Sequence, residues 1–573
     1  MDQSLISTSA TPKGVVATLL AALERSHALA CAALLALSLL MFLPGFFGLP
    51  PMDRDEPRFA QASKQMLETR DFVAIRFQDE ARNKKPVGIY WLQAASVALA
   101  EHLGFDAART TISVYRIPSL IGASLVVLLT YWAGLAWLER RYALIAAALM
   151  AATVLLGVEA RLAKTDAVLT ATVVAAMGAL ARIWAARLTQ ERSLAKEPFI
   201  LWLALAAGAL IKGPITLMVV GLAALALSIK QGASKREYWR WLKPLADWRA
   251  IGLAILVVAP WFVAIAVETH GAFFSEAVGG DMLGKVAGAR EAHGAPPGSY
   301  LVASLVTLWP IVPLAVIAVP IAWRWRREDE VAFLLAWLVP CWLVFEAVPT
   351  KLPHYVLPLY PAIALLVAFI AQRGSLRLDG SWKRIAAILL PLLPVAIALA
   401  IPYATLLYGD RTELVGAGVV GLGAVIAAAA AFLLMRARVA PAAAGAALAA
   451  LFLTFGVYRL TIPHLQAFML SPRLAATLAT SPCRPNAIAT AGFNEPSLVF
   501  LTRTDLNLTD GAAAARFMVG PGCRAAFVDI RQEGQFSQSL AALGIAPHPI
   551  GRVFGVNLNG GRHLDIGVYV NGG

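Results

Sequence analysis

HALACAALLALSLLMFLPGFFGLP runs from His27 to Pro50, and PMDRDEPRFAQ follows from Pro51 to Gln61. The first stretch carries no ionised side chain after His27 and is long enough to cross the roughly 30 Å of hydrocarbon in a bilayer. The second packs three carboxylates and two guanidiniums into six residues, Asp53 to Arg58. So abrupt a step from apolar to charged marks the point where a helix leaves a membrane. It predicts a membrane-spanning chain with a polar loop at its first exit.

The rest of the chain repeats the pattern. Of its 573 residues, 59% are hydrophobic and 15% charged, with a mean hydropathy of +0.68; a soluble domain carries about a quarter charged residues. Apolar runs alternate with basic loops at Arg140–Arg141, Lys230–Arg249, Arg324–Arg327 and Arg436–Arg438. This is the positive-inside pattern, and it assigns the net charge of +14 to topology rather than to a nucleic-acid partner. The first run lacks a small-residue cleavage site and reads as a retained helix. VGIYWLQAASVALAEHLG, residues 87–104, reads as an interfacial helix, because a crossing there would put the next basic loop on the wrong side.

The expectation is a polytopic α-helical membrane protein of about 13 transmembrane helices with periplasmic interfacial helices and a cytoplasmic N-terminus. Residues 1–461 form the transmembrane part, with outer loops 50–112 and 269–298. Residues 462–573 form a small C-terminal periplasmic α/β domain, in which AAFVDI and SLVFL are strand-forming runs. Cys483 and Cys523 lie in this tail and could pair in an oxidising compartment, whereas Cys31 and Cys341 sit in apolar runs as packing residues.

Under this topology the polar chemistry collects on the outer face. The loop 50–86 holds fifteen charges. Asp53 suits a helix N-cap before PRFAQASKQML. Asp55 and Glu56 cannot share that role, and such a carboxylate can act as a general base, a cation ligand or an electrostatic partner of an oxocarbenium-like sugar. Arg58 follows one turn on. Arg82, Lys84 and Lys85 oppose the positive-inside trend and suit a phosphate, just ahead of Pro86 at the expected start of a helix. GVEARLAKTD, residues 157–166, adds Arg161 and Asp166. Lys212-Gly213-Pro214 breaks an apolar run. PTKLPHYVLP, residues 349–358, supplies Lys351, His354 and Tyr355 on irregular backbone, tolerated at membrane depth where it lines a cavity. The glycine-rich loop with His270, Asp281, Lys285, Arg290, Glu291 and His293 is a segment expected to order around a lipid. No metal-ligand spacing stands out and no cofactor is required, though the histidines and carboxylates of this face could hold a divalent metal ion.

The order DRDEPRFA, KKPVGIYW, YRIPS, ARLAKTD, KGP and KLPHYVLPLYPA resembles the GT-C membrane glycosyltransferases that use polyprenyl-phosphate sugars. It looks most like the bacterial lipid A aminoarabinose transferases, relatives of the protein O-mannosyltransferases, over roughly residues 27–370. The resemblance implies transfer of aminoarabinose from undecaprenyl phosphate to a lipid A phosphate, on the periplasmic face of the bacterial inner membrane, giving polymyxin resistance. It implies a monomer among membrane lipids, Asp55 as the catalytic carboxylate and Lys85 as the holder of the carrier phosphate. Glu56, Arg58, Arg82, Lys84, Arg161, Asp166, Lys351, His354 and Tyr355 would then surround the substrates. One alternative is another polyprenyl-phosphate-sugar transferase, such as a protein O-mannosyltransferase. A lipid transporter is a second, but no internal repeat is seen and the charges sit at one face rather than at mid-membrane.

Overall fold

The computed structural model describes residues 15–51, 55–187, 194–231, 239–284, 294–376 and 380–571; Asp53, Lys285, Arg290, Glu291 and His293 lie outside them. Among the described residues, eight helices are long and apolar enough to cross a membrane: Ile112–Gly134, Asp166–Ala186, Trp248–Glu268, Asp329–Ala347, Pro353–Gln372, Ser381–Tyr408, Leu414–Met435 and Val439–His464. His27–Phe42, Ile215–Gln231 and Val312–Arg324 are shorter apolar helices. The expectation of about 13 counted apolar runs, and several runs make shorter helices. Arg140–Ala151 has 12 residues and Glu197–Lys212 has 16. The run 299–322 splits into Ser299–Thr307 and Val312–Arg324. Pro310 lies in that break; it has no N–H to continue a helix and disfavours helical backbone in the residue before it. Leu256, Val263, Leu399 and Leu406 remain exposed on the outside of the bundle, a surface suited to lipid.

Two glycines set the spacing that the site depends on. A Cβ on Gly122 would lie 2.8 Å from the Val168 nitrogen, so helix 112–134 can press against the start of helix 166–186 only without a side chain there. A Cβ on Gly88 would lie 2.8 Å from the Leu210 carbonyl oxygen. The beginning of helix Gly88–His102 is therefore held against the end of helix Glu197–Lys212. That close approach brings the Lys84–Lys85 segment toward Lys212. The helix begins at Gly88 with Val87 as its cap, so Lys85 precedes the cap rather than opening the helix at Pro86.

Between the first apolar helix and Gly88 lie helix Asp55–Thr69 and a short hairpin, β1 (Arg76–Phe77) and β2 (Glu80–Ala81). The C-terminal domain carries a five-stranded sheet: β3 (Ala487–Ala491), β4 (Asn507–Thr509), β5 (Arg524–Asp529), β6 (His548–Val556) and β7 (His563–Val570). Their order is β4-β3-β5-β7-β6, with β3 parallel to β4 and β5, and β7 antiparallel to β5 and β6. Side chains of a strand alternate between faces. Ala525 and Phe527 pack with Leu474 and Leu498 on one face, whereas Ala526 and Val528 pack with Ala514 and Phe536 on the other. AAFVD is thus a strand as expected. SLVFL is not: it forms helix Pro496–Leu501, because Pro496 suits a first helical turn and Phe500 packs edge-on against Tyr115.

Cys483 and Cys523 form a disulfide across a separation of 40 residues. Replacing both by Ser should lower the domain's unfolding free energy by about 3–4 kcal/mol on the loop-closure model. The check is a lower melting temperature that no longer responds to reductant.

Candidate functional site

The first charged loop is held from beneath by one buried ion pair. Glu56 and Arg116 are 0% and 2% exposed. Arg116 donates from Nε and Nη2 to the two carboxylate oxygens of Glu56, at 2.7 and 2.9 Å. Its remaining N–H groups reach the carbonyls of Phe46, Leu49 and Pro50. Glu56 also accepts from the Ala163 N–H at 2.9 Å. The pair therefore joins the end of the first apolar segment, the start of helix 55–69 and the segment leading to Asp166. Asp55, one residue away, is about half exposed, with Arg58 at 3.8 Å. Glu56 works inside this joint, not at an open surface.

A different group of residues meets around Asp166. Its carboxylate accepts from Lys212 and lies 3.9 Å from His354 Nε2. His354 Nδ1 is 3.9 Å from Glu159, which has Lys164 at 3.7 Å. Two ammoniums thus balance two carboxylates at a site excluded from bulk water, as buried charges require. Tyr355 closes the group, with its ring edge-on to His354 and 5.3 Å from the Lys212 ammonium. Ligand atoms of Glu159, Asp166 and His354 lie within 4.8 Å of one another, a donor set that could hold a metal ion.

This group opens onto a cavity of about 770 Å³. Lys84, Lys85, Asp166, Lys212, His354 and Tyr355 sit on its wall. The remaining lining is mainly apolar and comes from helices 197–212, 215–231, 248–268 and 329–347, with Leu205, Met218, Ile255 and Phe262 as examples. The shape is a charged head joined to a long apolar bore between helices.

The other expected site residues lie elsewhere. Arg161 donates to the carbonyls of Pro44, Gly157 and Met41 and stacks 4.2 Å from the Tyr458 ring. It thereby caps the end of the first apolar helix, and these partners are not those of Asp166. Lys351 donates to the carbonyls of Glu346 and Val348, at the end of helix 329–347. Arg82 lies 5.2 Å over the Phe59 ring. Glu159 and Lys164 of the site had no assigned role in the sequence, nor had two others. Arg116 stood in YRIPS, where a guanidinium inside an apolar helix is itself a signal. Lys212 stood in KGP, where the glycine and proline drew attention to the break rather than to the cation.

The C-terminal domain holds the loop from above. Gln61 donates to Thr504 at 2.9 Å, Gln78 donates to the Leu506 carbonyl at 2.7 Å and Thr504 donates to Glu68 at 2.9 Å. Lys64 donates to the Phe500 carbonyl. Burial at this contact holds the Lys64 ammonium below the usual lysine range, against the opposing pull of Glu68.

Comparison with known proteins gives this architecture a relative. The model of the dolichyl-phosphate-mannose-protein mannosyltransferase family matches residues 101–272. The undecaprenyl phosphate-alpha-4-amino-4-deoxy-L-arabinose arabinosyl transferase of Pectobacterium atrosepticum is 30% identical over 320 residues, 55% of this chain and 54% of that protein. Its counterpart in Erwinia tasmaniensis is 31% identical over 333 residues, 56% of each chain. The matched stretch thus spans little more than half the length of these relatives. The crystal structure of ArnT from Cupriavidus metallidurans bound to undecaprenyl phosphate superposes with a TM-score of 0.73 at 18% identity, covering 94% of this chain and 98% of that one. The chain shares the fold of that ArnT structure and is similar in sequence to the arabinosyl transferases over little more than half its length. The shared fold takes in the membrane bundle and the small C-terminal β-sheet domain alike.

Proposed function

We propose that the chain transfers a sugar from a polyprenyl-phosphate carrier to a second membrane lipid, and that the sugar is aminoarabinose and the acceptor a lipid A phosphate. The observation that carries this reading is the 770 Å³ cavity, with lysines at one end and an apolar bore behind them. A polyprenyl phosphate has that same division into a dianionic head and a long hydrocarbon tail. The similarity to aminoarabinose transferases supports the choice of sugar and acceptor. The mannosyltransferase-family match supports the donor class.

In the reaction, an acceptor phosphate oxygen attacks the anomeric carbon as the bond from that carbon to the carrier phosphate oxygen breaks. The carrier leaves as polyprenyl phosphate, and the electron pair of the broken bond stays on its oxygen. Lys84, Lys85 and Lys212 face this developing charge in a site poor in water, where ammonium donors are most effective. The acceptor phosphate is already ionised near neutral pH, so no strong base is needed to create the nucleophile. Asp55 would be the carboxylate that meets the sugar, through its amine or the positive charge at its ring. A metal ion held by Glu159, Asp166 and His354 would supply Lewis-acid stabilisation of a phosphate oxygen. Catalysis would lie on the periplasmic face of the inner membrane, and the product would carry the charge change that underlies polymyxin resistance.

The test uses the full chain in lipid nanodiscs with undecaprenyl phosphate-aminoarabinose and lipid A, read by mass spectrometry of the lipid. Transfer by wild type, with carrier affinity reduced about tenfold or more in Lys85→Ala, supports the reading; a charge-assisted hydrogen bond of about 1.5–3 kcal/mol corresponds to that change. Undiminished carrier binding in Lys85→Ala would place the phosphate elsewhere. A further check is steric: Ala209→Trp, in the bore, should block carrier binding while leaving the charged head intact.

A further inference from the structure

Between helix Val154–Glu159 and the helix that starts at Asp166, the chain forms neither helix nor strand. Side chains from three other helices hold the peptide groups of this turn instead. The Ala163 N–H donates to Glu56 at 2.9 Å. The Ala163 carbonyl accepts from Gln93 Nε2 at 3.0 Å. The next carbonyl, of Lys164, accepts from Ser119 at 3.1 Å. Ala163 itself packs with Ala60, Val97 and Tyr115, which come from the same three helices.

Gln93 has the most connections of these holders. It is 0% exposed, within helix Gly88–His102. A buried amide is costly unless both its ends find partners, and here both do. A carbonyl can only accept, so the Nε2 end must face Ala163 and the Oε1 end must face Ser63. The Ser63 hydroxyl donates to Oε1 at 2.7 Å, a shorter contact than its alternative to the Phe59 carbonyl at 3.1 Å. Ser63 lies on helix Asp55–Thr69, which begins with Asp55. The helix of Gln93 follows directly on Lys84 and Lys85. Ala163 precedes Asp166 by three residues. One buried amide therefore cross-links the segments that carry the carboxylate of the first loop, the lysines of the cavity and the carboxylate at its head.

We infer that Gln93 is a positioning residue for sugar transfer: it fixes the Ala163 peptide, and so sets Asp166 against Asp55 and the lysines. Gln93 does not line the 770 Å³ cavity, so it acts through the backbone of the turn. A misplacement of about 1 Å at a reacting group costs on the order of 100-fold in rate. This inference rests on the transferase reading above.

The test compares two variants of the full chain in lipid nanodiscs. Gln93→Leu keeps a similar volume and removes both bonds. Its kcat should fall about 10–100-fold. The KM for the carrier sugar, the binding of undecaprenyl phosphate and the folded fraction at the assay temperature should stay at wild-type values. Gln93→Glu puts the same contact under the control of a proton. The introduced carboxyl, buried beside a carbonyl, ionises above the ordinary glutamate range. Its neutral form can donate to the Ala163 carbonyl, and its ionised form cannot. The ratio of its kcat to that of wild type should approach unity at the acid end of the activity range and fall as the pH rises. The ratio for Gln93→Leu should stay low throughout. Ser63→Ala frees one end of the amide and should lower kcat less, again with unchanged carrier binding; it takes the place of Gln93→Leu if that variant does not reach the membrane. Wild-type kcat in Gln93→Leu and Ser63→Ala overturns the inference. So does a Gln93→Glu ratio that is flat with pH, or a loss of kcat matched by a loss of folded protein or of carrier binding. A wild-type chain that neither binds the carrier nor transfers sugar overturns the transferase reading, and this inference with it.

Discussion

Arg116→Ala is expected to destabilise the protein by about 3–5 kcal/mol, the range for breaking a buried ion pair by removing one partner. The substitution strands the Glu56 carboxylate, which is fully buried, and frees three carbonyls between Phe46 and Pro50. Arg116→Lys should recover little, because one ammonium cannot place donors in the planar fork that Glu56 and these carbonyls require. The double variant Glu56→Leu/Arg116→Met should be markedly more stable than Arg116→Ala, since neither charge is then left alone. Melting temperature in detergent, with membrane yield, reads all three. A wild-type melting temperature in Arg116→Ala would show that the joint does not hold the loop. The activity of the double variant separates stability from placement. If it folds but transfers slowly, the pair also positions Asp55 and the Asp166 segment.

Asp166→Asn is expected to lower kcat about 100–1000-fold, comparable to the loss of one preorganised electrostatic group. Asn keeps the volume and an acceptor for Lys212, so the fold should survive. What it removes is the negative charge that holds Lys212 and His354 at the head of the cavity. Carrier affinity should hold or rise, because the head becomes more positive. A low kcat with intact undecaprenyl phosphate binding is thus the signature of a group acting on the reaction. A fall in carrier affinity that accounts for the whole loss would instead make Asp166 a part of the binding wall.

The sequence made the membrane, the charged first loop and the lysines at 84 and 85 legible because each is a local contrast: charge beside apolar residues, or basic residues against the topological trend. Lys85 and His354 could be picked out in this way, and the structure brings both to one cavity. Partnerships were not legible. YRIPS shows a guanidinium in an apolar helix but not that its partner is Glu56, 60 residues earlier. ARLAKTD presents Arg161 and Asp166 as one cluster, yet the chain turns between them and sends their side chains to different spaces. SLVFL has the residues of a strand and becomes a helix, because Pro496 suits a first helical turn and Phe500 packs against Tyr115. Helix lengths escaped as well: the run 299–322 breaks at Pro310, whereas helix Ser381–Tyr408 continues through Pro391, Pro394 and Pro402.

The contact between the first loop and the C-terminal domain joins residues 443 apart, Gln61 and Thr504. A ribosome makes the loop first and its upper partner almost last. The Glu56–Arg116 joint, spanning 60 residues, can form early in synthesis, while the polar face of Gln61, Lys64 and Gln78 must wait for the end of the chain. A chain cut short before Thr504 would carry the residues that line the 770 Å³ cavity but present that face uncovered.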